Sequence, residues 1–207
     1  IEALQKKYLF SRAIIAGARI ISEDVIKIFP DGIVNFHPGK IPATSGLDAF
    51  FYTIKNQAPA GVTAHFIDSR VDAGFQIFFE ELVVGPDDSP AVINFNNYQL
   101  QIEALRKTLE IFERGDFKAE PLIRPRKNLP MEPSEKIKML ENFSEWRAGQ
   151  YIKQQERMLF ENCQAGNLEV VRKILGRHPE LLEARVAEGW TPLIVSAYNG
   201  HLGVVEH

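Results

Sequence analysis

The sequence predicts an α/β domain built around a parallel βαβ unit and followed by an all-α repeat array. Three observations lead there. Ala13-Ile14-Ile15-Ala16-Gly17 and Ile33-Val34-Asn35-Phe36-His37 are short, largely apolar runs of the buried-strand kind, with a helix-forming stretch between them. Val62 to Ile67 and Phe75 to Val84 supply two more strand-like runs, joined by a loop too short for a parallel crossover. Gly166-Asn167-Leu168-Glu169-Val170-Val171 returns as Gly200-His201-Leu202-Gly203-Val204-Val205, 34 residues later.

Taken in order, Glu2 to Ser11 reads as the end of a helix. Ser22 is placed to cap the helix of the βαβ unit, with Glu23 and Asp24 in its first turn and Val25, Ile26 and Phe29 on one face. Pro30-Asp31-Gly32 ends it, and the strand–helix–strand order implies a right-handed crossover. After the Gly39 to Thr44 loop, Ser45 is expected to cap a helix that carries Leu47, Phe50, Phe51 and Ile54 toward the core. The Val62 and Phe75 strands are expected to pair antiparallel at the sheet edge. Ser89 and Pro90 open a long helix through Ile93, Leu100, Leu105, Leu109 and Phe112 that stops at Gly115.

Pro121, Pro125, Pro130 and Pro133 then forbid a long helix and mark a connector or small subdomain. Within it, Arg124, Arg126 and Lys127 read either as a solvated face or as a phosphate contact. Ser134 is expected to cap a helix over Glu135 to Phe143, which Trp146 packs onto a neighbour.

Composition excludes several classes. With 207 residues, 45% hydrophobic and 25% charged, the chain has the make-up of a globular protein of one or two domains. A net charge of −3 without a basic stripe argues against a nucleic-acid partner. The single cysteine, Cys163, excludes an intrachain disulfide and points to a reducing compartment. No apolar run approaches the roughly 18 residues of a membrane span, and the opening residues lack a signal-peptide pattern. The expected location is therefore cytoplasmic, with no membrane partner and no metal.

The chemistry is concentrated in Asn35-Phe36-His37-Pro38-Gly39. Side chains alternate along a strand, so Asn35 and His37 share a face, and Pro38-Gly39 ends the strand just beyond them. Ligand crevices of open α/β sheets form at such carboxyl ends. A carboxamide can donate N–H groups to an oxyanion, and an imidazole beside it can handle a proton. The alternative is a polar strand end beside a turn.

Asn35-x-His37-Pro38, the Gly61-Val62-Thr63 strand and a loop ending Asp72-x-Gly74 occur in that order between about Ala13 and Val84. The combination resembles the folate-dependent formyltransferases, which include glycinamide ribonucleotide formyltransferase, methionyl-tRNA formyltransferase and the sugar N-formyltransferases. The resemblance implies a Rossmann-like sheet and 10-formyltetrahydrofolate as formyl donor. It implies that Asn35 and His37 hold the developing oxyanion, while Asp72 pairs with His37, favours the charged imidazole and assists proton transfer. It also implies a pterin site between Arg19, Ile20 and Ile21 on one side and Asp68, Ser69, Arg70, Val71 and Asp72 on the other, made largely through backbone groups.

The 34-residue repeat, with Gly189-Trp190-Thr191-Pro192-Leu193 in which Thr191 caps and Pro192 opens a helix, resembles ankyrin repeats. Ile194 stands where that pattern usually has histidine. Cys163 aligns with Ala197, a small inward position, which predicts a buried thiol. Trp190 lies in the hairpin, either packed or stacked on a nucleobase or a partner surface.

The expected domains are a formyltransferase catalytic domain over 1–117, a Pro-rich connector and small subdomain over 118–152, and about one and a half ankyrin repeats over 153–207. Two or three βα units are expected before Ala13, and the last repeat reads as interrupted, so the sequence suggests part of a longer protein. A formyltransferase followed by ankyrin repeats resembles bacterial sugar N-formyltransferases that act on dTDP-linked amino sugars on the way to O-antigen. Lys40-Ile41-Pro42-Ala43-Thr44-Ser45-Gly46 lacks the arginine that the tRNA enzymes usually carry before the corresponding glycine. A nucleotide-sugar acceptor is therefore implied, with a possible homodimer through the connector and a ligand or protein at the repeats. The alternatives are a formyltetrahydrofolate hydrolase, with a similar Asn, His and Asp set, and a non-catalytic ankyrin interaction module.

Overall fold

Apolar strand-like runs between turn residues become one five-stranded sheet in the computed structural model, which describes residues 1–15, 20–70, 72–115, 117–122 and 128–207. The strands are β1 (Ala13–Ile14), β2 (Ile33–His37), β3 (Gly61–Phe66), β4 (Phe75–Glu81) and β5 (Glu120–Pro121), side by side in chain order. β1 and β2 are parallel, with Ala13 opposite Ile33 and helix α2 (Glu23–Ile26) between them in sequence, as the βαβ pattern predicts. The pairs β2–β3 and β3–β4 are antiparallel. β4 is not the edge strand, because the connector returns as β5 and pairs Pro121 with Phe75 and Glu120 with Gln76. A proline fits there, since an outer strand needs no N–H on its free side.

Helices α1 (Glu2–Tyr8), α3 (Ala49–Lys55), α4 (Pro90–Arg114) and α5 (Pro133–Glu141) complete the first of two units, Ile1–Arg147 and Ala148–His207. The α4 boundaries are those expected: Ser89 Oγ accepts the Val92 N–H at 3.3 Å, and Gly115 ends the helix at φ 73°. Its buried face is Ile93, Ala104 and Thr108, whereas Leu109 is 47% exposed.

Two caps differ from expectation. Ser45 donates its Oγ to the Pro42 carbonyl at 3.0 Å, and Asp48, at φ 59°, starts α3 instead. Leu47 consequently precedes the helix and is 64% exposed. Ser134 falls inside the first turn of α5, since Pro133, with φ preset for a helix, begins it two residues earlier than expected, behind Glu132. The core of this unit is Ile54, Ala60, Leu82, Val84, Ile93, Phe143 and Trp146. The fully buried Trp146 indole donates to the Ala58 carbonyl at 3.0 Å.

A long helix, α6 (Phe143–Ala165), leads into the second unit, which contains α7 (Leu168–Arg177), a 3-10 turn over Pro179–Glu183, α8 (Pro192–Tyr198) and α9 (Leu202–Val205). The sequence repeat is also a backbone repeat. Gly166 and Gly200 take φ 73° and 76°, and the next residues, Asn167 and His201, adopt φ, ψ of −82°, 75° and −89°, 71°. The Asn162 carbonyl accepts the Asn167 N–H at 3.0 Å, as that of Ser196 accepts the His201 N–H at 3.0 Å. Cys163 is fully buried with Leu159, Val171, Ile174, Leu181, Val195 and Val204. Among the described residues no helix is long and apolar enough to cross a membrane.

Candidate active site

Strand register assembles the site. The antiparallel β2–β3 pairing sets Asn35 opposite His65 and His37 opposite Thr63. Alternation then puts all four side chains on one face. Thr63 Oγ1 donates to the Gly39 carbonyl at 2.6 Å and accepts the Ile41 N–H at 3.2 Å, fastening the turn that follows β2. Gly39 must be glycine here, because a Cβ would lie 2.2 Å from Thr44 Oγ1. This close approach brings Thr44 back onto His37, whose Nε2 donates to the Thr44 carbonyl at 2.9 Å.

Asp72 arrives from the β3–β4 loop. It holds φ 46°, a left-handed conformation that aspartate tolerates better than most residues. Gly74 takes φ 101°, where a Cβ would lie 2.1 Å from the Phe66 carbonyl, so the Asp-x-Gly spacing is a backbone requirement. Asp72 Oδ2 lies 3.4 Å from His37 Nδ1 and accepts the Gly46 N–H at 2.5 Å. Burial alone would push its carboxyl up, but the His37 hydrogen bond and charge, the Gly46 N–H and the weaker influence of His65 outweigh it. The carboxyl is held below the usual carboxylate range. Both ring nitrogens of the buried His37 are engaged, one on Thr44 and one on Asp72.

Asn35 is held from across the sheet. Its Nδ2 lies 3.2 Å from Nε2 of the fully buried His65, whose Nδ1 lies 3.1 Å from the Ala73 carbonyl. His65 has no marked spacing of its own in the sequence. Only the register that sets it opposite Asn35 reveals it.

These groups open onto a cavity of about 810 Å³. Asn35, His37 and Asp72 line it together with Ile20, Ile21, Asp68, Ser69 and Arg70, so eight of the expected site residues meet at one place. Arg19 and Val71 lie outside the described residues. Ile15, Gly46, Leu47, Ile67, Asn128, Leu129 and Pro130 also line it, and sequence spacing did not single them out. Residues 128–130 are there because Asn128 N–H donates to the Ser45 carbonyl at 2.9 Å and pairs with Gly46. Asp68 caps the Arg70 N–H at 2.8 Å and pairs with its guanidinium, which shapes the loop wall. The wall is mainly apolar, with the amide, imidazole and carboxylate at one end, an arrangement suited to a flat ring and one reacting polar group. Among the described residues no three metal-ligating side chains cluster. Trp190, in the second unit, is partly buried, packs on Tyr198 with ring centroids 4.9 Å apart, and lines a separate cavity of about 620 Å³.

Comparison with solved structures gives the same fold. A formyltransferase from Anoxybacillus kamchatkensis, solved in complex with UDP-4,6-dideoxy-4-formamido-L-AltNAc and tetrahydrofolate, is 23% identical, covers 64% of this chain and 68% of its own, and has a TM-score of 0.51. Phosphoribosylglycinamide formyltransferase from Anaplasma phagocytophilum is 20% identical over 63% of this chain and 68% of its own, also at a TM-score of 0.51. Among curated sequences, methionyl-tRNA formyltransferase of Alkaliphilus oremlandii is 24% identical over 52% of this chain and 35% of its own length. That of Solibacter usitatus is 29% identical over 49% and 33%. The chain thus spans about a third of the length of the curated relatives it matches. Residues 5–109 match the family described as formyl transferase, and with these residues making up half of its length the chain belongs to the formyl transferase family.

Proposed function

We propose that the protein carrying this chain transfers the formyl group of 10-formyltetrahydrofolate to the amine of a nucleotide-linked amino sugar, of the dTDP class. The observation that carries the chemistry is the convergence of Asn35, His37 and Asp72 on one mostly apolar cavity. The acceptor nitrogen bonds to the formyl carbon, the carbonyl oxygen becomes an oxyanion, and the bond from carbon to N10 of the folate breaks. The amine must lose a proton and N10 must gain one. Asn35 offers a carboxamide N–H to the oxyanion. Asp72, kept ionised, accepts the amine proton directly or through water, and His37 Nδ1 faces it at 3.4 Å. His37 joins Asn35 at the oxyanion by exchanging its bond to the Thr44 carbonyl for one to the substrate. The pterin lies along Ile20, Ile21 and the Asp68 to Asp72 loop. The single buried thiol fits a cytoplasmic setting.

We read 153–207 as ankyrin repeats. The matching φ, ψ and hydrogen bonds 34 residues apart support this, as does Thr191 Oγ1 accepting the Ile194 N–H at 3.4 Å at the start of α8. The repeats support the sugar acceptor, as does the absence of an arginine before Gly46. A second acceptor, methionyl-tRNA, is favoured by the names of the curated relatives. The test is tetrahydrofolate release from 10-formyltetrahydrofolate with dTDP- and UDP-amino sugars, with methionyl-tRNA, and with no amine. Formylated dTDP-amino sugar is the expected product. Formylated tRNA would transfer the assignment to the second acceptor, formate without amine would indicate a hydrolase, and no turnover with any of them would overturn the proposal.

A further inference from the structure

The His65 contacts assign a role that none of the motifs above carries. A carbonyl oxygen only accepts, so the 3.1 Å contact to the Ala73 carbonyl requires a proton on His65 Nδ1. A neutral ring protonated there carries a lone pair at Nε2, and the atom 3.2 Å away must then be the Asn35 amide nitrogen rather than its oxygen. We propose that His65 is a positioning residue: as the neutral Nδ1–H tautomer it fixes the Asn35 carboxamide in one of its two orientations and ties it to the loop carrying Asp72. One Asn35 N–H is spent on His65, and the second is held for the formyl oxygen.

Surroundings agree with the neutral ring. His65 has no solvent exposure, and burial is the main influence opposing its protonation, reinforced by the charge of His37; the Ala73 carbonyl and Asp72 act the other way without prevailing. A protonated ring would offer Nε2–H, demand the amide oxygen, and turn the carboxamide over. The geometry also explains why Asn35 and Asp72, 37 residues apart in the chain, keep a fixed relation: one imidazole bonds the first and the residue after the second.

This inference rests on formyl transfer at Asn35, and its test separates the two. In uniformly 15N-labelled protein, the imidazole shifts of His65 should report the neutral Nδ1–H form from pH 6 to 8, and a through-hydrogen-bond nitrogen–nitrogen coupling should link Asn35 Nδ2 to His65 Nε2. Neither measurement needs turnover. For activity, His65→Gln places an amide oxygen where Nε2 stood, whereas His65→Asn keeps only the Ala73 contact. His65→Asn should lower kcat about 10-fold or more with KM for the folate unchanged, and His65→Gln should recover most of it. In an Asn35→Ala background, His65→Asn should add little. An imidazolium, a missing coupling, or equal losses in both variants that persist without Asn35 would overturn the role of His65. Loss of all formyl transfer in the unaltered protein, with the coupling present, would instead overturn the proposed function alone.

Discussion

Removing the Asn35 carboxamide is the sharpest perturbation. Under the proposed chemistry, the Asn35 carboxamide is already placed at the cavity end, whereas His37 joins it only by leaving the Thr44 carbonyl. Loss of one oxyanion donor costs about 3 kcal/mol in acyl transfer, and at about 1.4 kcal/mol per tenfold this is roughly a 100-fold fall in kcat. The interaction forms fully only in the transition state, so KM for 10-formyltetrahydrofolate should stay within about threefold. Asn35→Ala also strips His65 Nε2 of its donor, and a buried unpaired acceptor costs about 1–3 kcal/mol of stability, so thermal unfolding must be followed in parallel and rates taken well below the variant's Tm. Single-turnover measurement of tetrahydrofolate formation separates chemistry from product release. A folded Asn35→Ala protein with wild-type kcat, or one whose loss lies wholly in KM, would refute the oxyanion role.

Asp72→Asn keeps an oxygen for the Gly46 N–H but loses the charge facing His37, and should cut turnover by about 100-fold or more; steady-state kinetics decide. Because the folded chain holds the Asp72 carboxyl below its unfolded value, its contribution to stability is present above the unfolded pKa and disappears as pH falls through the folded one. Denaturant titrations on the acid side should therefore show a loss in the parent that is smaller in Asp72→Asn. Gly74→Ala adds a Cβ 2.1 Å from the Phe66 carbonyl at φ 101° and should destabilise by about 2 kcal/mol or more while displacing Asp72; an unchanged urea midpoint would show the loop to be more yielding. Trp146→Phe leaves the Ala58 carbonyl without its donor in a sealed core and should cost about 1–3 kcal/mol with kcat unaffected, read by chemical unfolding and the formyl-transfer assay together.

Where the pattern is local, the chain's own residues were enough. The Ile33–His37 strand is bounded as expected, because its apolar alternation and the Pro38-Gly39 stop are properties of neighbours in sequence. Ser89-Pro90 and Gly115 delimit α4 for the same reason. Ser45 failed as a cap because the loop it sits in competes for its hydroxyl, and that competition depends on how Pro42 is folded back. Asn128 reaches the cavity through contacts with Ala43 and Ser45, the first 85 residues away in sequence.

The site shows the same division. Asn35 and His37 were legible as polar residues sharing one face at a strand end, while Asp72 was singled out by the resemblance of its Asp-x-Gly loop to the formyltransferases; Gly74 there takes positive φ. His65 was not legible, and neither was the sharing of Asp72 between His37 and Gly46. Those depend on which residues an antiparallel register sets opposite each other and how closely two loops approach, and both are settled by packing across the chain.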